Sequence, residues 1–87
     1  TAYNLHQNYP NPFNPTTTIR FDLPEDAHVK LEVFNLLGQK VETLIDGYKT
    51  AGYKSVTWKT DAQASGIYFY KLETPDKSLT RRMTLLK

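Results

Sequence analysis

The feature that most limits this chain is a period of two in its apolar residues. In "TTTIRFDLP" the residues Ile19, Phe21 and Leu23 share one parity, and Thr18, Arg20 and Asp22 share the other. Side chains alternate across a β-strand, so this pattern buries one face and wets the opposite one. "HVKLEVFN" repeats it, with Val29, Leu31 and Val33 inward and Lys30, Glu32 and Phe34 outward. "KVETLID" reads as a shorter, more polar strand closed by Asp46-Gly47, and "YKSVTWK" places Val56 and Trp58 together. "GIYFYKLE", after Ser65-Gly66, starts apolar on both faces, as a central strand does. In "KSLTRRMTLLK" the residues Leu79, Met83 and Leu85 share a parity, and "YNLHQNY" supplies a seventh strand at the front. Strands about ten residues apart with turn signals between them predict an all-β fold, a seven-stranded sandwich of the immunoglobulin or fibronectin-III type. Gly38 in "NLLGQ" is the natural residue for a hairpin turn with positive φ. Helical spacing can be forced onto "VFNLLGQKVETLI", but its β-branched residues and central glycine oppose it.

Leading into the first long strand stands "YPNPFNPTTTIRF", with three prolines and two asparagines around Phe13. Pro10, Pro12 and Pro15 fix φ and donate no hydrogen bond, so the segment cannot complete a ladder inside a sheet. The expected role is a rigid crossing from one sheet to the other. Phe13 would anchor it, and Asn11 and Asn14 would bond neighbouring backbone. At 87 residues the chain suits one domain, 1–87, with 1–15 an extended Pro/Asn-rich lead-in. Such a domain buries roughly two-thirds of its unfolded surface. With no cysteine, the β-core has to hold without disulfides. A start at Thr1 rather than Met suggests a mature piece or a fragment of a longer polypeptide.

Catalytic machinery is hard to assemble from these residues. His6 and His28 are the two histidines and read as solvated polar positions. Ser55, Ser65 and Ser78 lie outside any Gly-x-Ser-x-Gly context, and Thr1 as an N-terminal nucleophile is less plausible than a trimmed end. The acids gather at strand ends and turns without an Asp-x-Asp-x-Asp pattern, so no metal or other cofactor is expected. The reading is a non-enzyme. A net charge of +2 with interspersed signs argues against nucleic acid as a partner. No apolar run approaches the ~18 residues of a membrane span. Lys77, Arg81, Arg82 and Lys87 make the end of the chain basic, as in a solvated edge that resists sheet-to-sheet association.

Six tyrosines, four phenylalanines and one tryptophan are many for this length and bring a carbohydrate-binding accessory module into consideration. Trp58, Tyr68 and Tyr70 share parity with core residues, so packing explains them better. Tyr48 and Tyr53, flanking a turn, remain as a sugar platform.

Several blocks taken together resemble a known family. They are "YPNPFNPTTTIRFDLP" at 9–24, "VFNLLGQKV" at 33–41, "AGYKSVTW" at 51–58, "SGIYFYKLE" at 65–73 and the closing "RRMTLLK". The chain resembles the C-terminal sorting domain of proteins exported by the type IX (Por) secretion system, and is similar to the immunoglobulin-like domain of flagellar hook-capping proteins. The resemblance implies a sandwich at the end of a larger secreted protein, recognised by a translocon and carried across the outer membrane to the cell surface or outside. It also implies a sortase that commonly removes the domain, and a cargo that can be joined to surface lipopolysaccharide. Carried over by position, the motif residues are Tyr9, Pro10, Asn11, Pro12 and Phe13; Gly38; Gly66, Ile67 and Tyr68; and Arg82, Leu85, Leu86 and Lys87. The last strand is then the part the export machinery engages, by strand addition or by shape-matched docking. A competing reading is a structural subunit whose front segment pairs with the open edge of another copy, giving a homo-oligomer or a filament.

Overall fold

The computed structural model describes residues 2–60 and 62–86. Seven strands run in chain order: β1 Asn4–Leu5, β2 Thr16–Leu23, β3 Ala27–Asn35, β4 Lys40–Lys49, β5 Gly52–Lys59, β6 Gly66–Glu73 and β7 Ser78–Leu85. No helix occurs among the described residues. Two antiparallel sheets, ordered β1-β2-β5 and β4-β3-β6-β7, pack as a sandwich consistent with an immunoglobulin-like fold.

The alternating positions meet between the sheets. Ile19, Phe21 and Leu23 face Val29, Leu31 and Val33, with Trp58, Tyr70, Leu72, Met83 and Leu85 completing a fully buried core. Each such side chain contributes about 1.5–3 kcal/mol by leaving water, which is how a cysteine-free chain of this size stays folded. β6, apolar on both faces at its start, is indeed interior, between β3 and β7.

The Asp46-Gly47 pair does not close β4, contrary to its turn-like chemistry. The strand continues to Lys49 because β3 offers partners as far back as Ala27, pairing Lys30 with Asp46 and Val29 with Gly47. The chain turns instead at Thr50-Ala51, where the Asp26 carboxylate accepts a hydrogen bond from the Ala51 amide at 2.8 Å. Register shifts opposite Leu31/Glu32 and Val33/Phe34 bend β4 near its start, where it enters the ladder.

Outward parity does not always mean exposure. Asp22 is buried under His6, whose Nε2 lies 3.0 Å from its Oδ2, and under the Asn4 amide. Glu32 is likewise buried, with the Lys40 ammonium 3.2 Å away.

Candidate functional site

The lead-in does not make a one-way crossing between sheets. β1 pairs with β2 and Tyr9 bridges Thr18, both in the three-stranded sheet. The chain then swings out to β7 of the other sheet, where Phe13 forms a parallel bridge with Leu85, and returns to the first sheet as β2. Pro10, Pro12 and Pro15 all follow cis peptide bonds.

This excursion closes the edge of β7. The Phe13 amide donates to the Thr84 carbonyl at 3.0 Å, and the Leu86 amide donates to the Phe13 carbonyl at 2.9 Å. The Thr84 amide donates to Asn11 Oδ1 at 3.0 Å, and the Gln7 side chain donates to the Arg82 carbonyl at 2.7 Å. Asn11 therefore bonds backbone 73 residues away rather than its neighbours. The Asn14 side chain, exposed, makes no hydrogen bond among the described residues.

Asn8 takes the fixing role expected of Asn14. It is 2 % exposed; its amide donates to the Tyr70 hydroxyl at 2.8 Å, and its side chain donates to Thr17 Oγ1 and the Pro10 carbonyl. Tyr70 Oη in turn donates to the His6 carbonyl at 2.7 Å. Burial pushes the Tyr70 phenol above its ordinary pKa, while the Asn8 amide and the Arg81 guanidinium partly oppose the rise. Arg81, expected as a solvated edge charge, reaches across to donate from Nε to the Leu5 carbonyl. The sequence signal for this network was slight: Asn8 stands beside the proline run, and Thr17 shares parity with Ile19.

Phe13 is 1 % exposed and anchors the excursion as expected. Its ring lies 5.8 Å from that of Trp58, which meets Tyr68 edge-on at 6.0 Å. Gly66 pairs with Leu85 and Ile67 with Thr84, while Tyr68 pairs with both Met83 and Asn35. Asn35 opens the β3–β4 turn, its side-chain oxygen accepting from the Leu37 and Gln39 amides at 3.0 Å each, with Gly38 at φ +84°. Phe13, the Gly38 turn, Gly66–Tyr68 and Leu85 thus gather at one end of the sandwich. Tyr9 and Leu86 are exposed there or beside it, as is Arg82, and Pro10, Asn11 and Pro12 form the exposed outer rim. Lys87, Thr1 and Asp61 lie outside the described residues.

A profile of the family "Secretion system C-terminal sorting domain" matches residues 7–85. The chain belongs to that family. Its members are sorting signals of type IX secretion, so the domain directs export across the outer membrane to the cell surface or beyond. The fold is similar to part of PorZ from Porphyromonas gingivalis, described as an essential bacterial surface component of the type IX secretion system. The match has a TM-score of 0.61 and 21 % identity, and covers 98 % of this chain and 11 % of that one. At that identity the likeness concerns the fold alone, and the sorting domain spans about a tenth of PorZ. Comparison with curated proteins gave no match.

Other expected sites are dispersed. Tyr48 and Tyr53 are both exposed and flank the same turn, but Tyr48 stands on β4 of the four-stranded sheet and Tyr53 on β5 of the other. His28 lies 3.4 Å from Asp46 on the β3–β4 pair of the four-stranded sheet, whereas the His6 amide bonds Arg20 on β2 of the other sheet. Among the described residues no three metal-ligating side chains cluster, and no helix is long and apolar enough to cross a membrane. The front segment, which had suggested pairing with another copy, finds partners within its own chain on β2 and β7.

Proposed function

We propose that the sorting domain acts without catalysis, as a single folded unit over 1–87. Its export partner reads a composite surface where the lead-in motif closes over the end of β7. One observation carries this: the Phe13–Leu85 bridge, with Asn11 on Thr84 and Leu86 on Phe13, fuses two motifs some 70 residues apart into one element. Because the Thr84 amide and carbonyl, the Leu86 amide and the Arg82 carbonyl already have partners, strand addition along this stretch would require displacing the lead-in. Docking on side chains avoids that cost, and Arg82 and Leu86 are exposed side chains on this stretch and available for it. A translocon component and a larger cargo preceding the domain are the implied partners, with a sortase acting afterwards.

Deleting the chain from Arg82 onward removes Met83 and Leu85 from the core, so loss of export in that variant also reports misfolding. The discriminating variant is Arg82→Glu with Leu86→Ser, both at exposed positions. A fused reporter carrying it should keep its melting temperature and fail to reach the medium or cell surface. Export at the parental level with a folded variant sinks the proposal.

A further inference from the structure

The outer face of the three-stranded sheet carries an open groove of about 680 Å³ that the sorting role does not use. Its rows follow from the strand register. Tyr9 bridges Thr18, the His6 amide bonds the Arg20 carbonyl, and Asn4 pairs with Asp22. On the other side of β2, Thr18 pairs with Thr57, Arg20 with Ser55 and Asp22 with Tyr53. Tyr9 and Tyr53 therefore stand at diagonal corners, 78 % and 84 % exposed. Four residues along β2 separate their rows, about 13 Å at ~3.3 Å per residue, and two strand spacings, about 10 Å, lie between their strands. Between these aromatic walls the floor is polar, with hydroxyls from Thr18 and Ser55.

The charges in this groove are not equivalent. The Asp22 carboxylate is buried and engaged by His6 and Asn4. Lys54 donates to Thr50 Oγ1 at 2.8 Å. The Arg20 guanidinium, at the centre of the floor, is exposed and makes no hydrogen bond or ion pair among the described residues. A free planar guanidinium is a fork for a carboxylate or phosphate.

We infer that the groove binds an acidic oligosaccharide, with Tyr9 and Tyr53 stacking on sugar rings and Arg20 holding an anionic substituent. The sheet itself separates this occupant from an acidic peptide. β2, beneath the centre of the groove, is paired on both sides, so around Arg20 the floor offers side chains and no free backbone ladder, from which an extended peptide draws much of its affinity; the free edge of β5 lies at the margin of the sheet. Hydroxyl-bearing floors and exposed aromatic faces instead match the hydroxyl edges and apolar faces of sugars. The inference stands independently of the sorting role and joins Tyr53 to Tyr9 rather than to Tyr48.

The test is an NMR titration of this chain with a galacturonic-acid oligosaccharide, a neutral malto-oligosaccharide of equal length, and a poly-glutamate peptide of equal charge. The acidic sugar should shift amides of Thr18, Arg20, Ser55 and Tyr53 and bind about tenfold or more tighter than either comparison probe. Arg20→Gln should erase the preference over the neutral sugar, and Tyr53→Ala should weaken both sugars, in variants whose melting is unchanged. Equal binding of the two sugars, no shifts with the acidic one, or peptide binding as tight as the sugar's would each overturn the inference.

Discussion

Tyr70→Phe is the sharpest probe of how the lead-in is held. The ring, fully buried, stays in place, so the substitution creates almost no cavity. It removes one oxygen that donates to the His6 carbonyl at 2.7 Å and accepts from the Asn8 amide at 2.8 Å. Asn8 is 2 % exposed, so water does not readily replace that acceptor. Leaving a buried donor and an acceptor unmet costs about 1–3 kcal/mol each, so a total near 3 kcal/mol is expected, a shift of roughly 150-fold in the folding equilibrium. A domain of this length has a stability of about 4–13 kcal/mol. The variant should therefore remain folded while melting about 12–24 °C lower, at 4–8 °C per kcal/mol. Tyr68→Phe is the control: its hydroxyl donates to the carbonyl of exposed Ala64, where water substitutes, and it should cost under about 1 kcal/mol. Urea unfolding followed by circular dichroism gives the energies. Hydrogen exchange should show the Asn8 and Phe13 amides losing protection in Tyr70→Phe alone. A loss below about 0.5 kcal/mol, or equal losses in the two variants, refutes the claim that this hydroxyl ties the lead-in to the core.

Two further outcomes follow from single groups. Gly38 has φ +84° with no atom near an added Cβ, so Gly38→Ala should cost about 1–2 kcal/mol through backbone strain alone. Gly38→Asn should cost visibly less in thermal unfolding, and equal losses would contradict this. Because burial raises the Tyr70 pKa, the folded state holds the phenolic proton after an unfolded tyrosine, near 10, has released it. Its contribution is complete below pH 10 and is lost as pH rises through the folded value. Urea midpoints measured from pH 8 to 11 should therefore fall at the alkaline end, less steeply in Tyr70→Phe; parallel slopes would count against it.

Alternation alone was enough to place Ile19, Phe21, Leu23, Val29, Leu31 and Val33 inside a two-sheet core, because a strand's side-chain period is local geometry. The Gly38 turn and the Phe13 anchor were legible for similar reasons: one needs a permissive φ, and the other is a large apolar residue stranded among prolines. Asp46-Gly47 misled because its turn preference is weak beside a ladder that β3 extends to Ala27. Asp22 and Glu32 misled because parity fixes direction, while exposure depends on what neighbouring strands lay on top. The partners of the lead-in were beyond any local rule. Asn11 reaches Thr84, Asn8 reaches Tyr70 and Leu5 meets Arg81 only after the two sheets have closed, so these hydrogen bonds join residues 62 to 76 apart. The residues themselves determined that this chain is a β-sandwich with a stiff, donor-poor front. Tertiary structure alone decided that the front seals the edge of the last strand, since backbone groups left over by one sheet are matched by whatever segment the fold brings beside them.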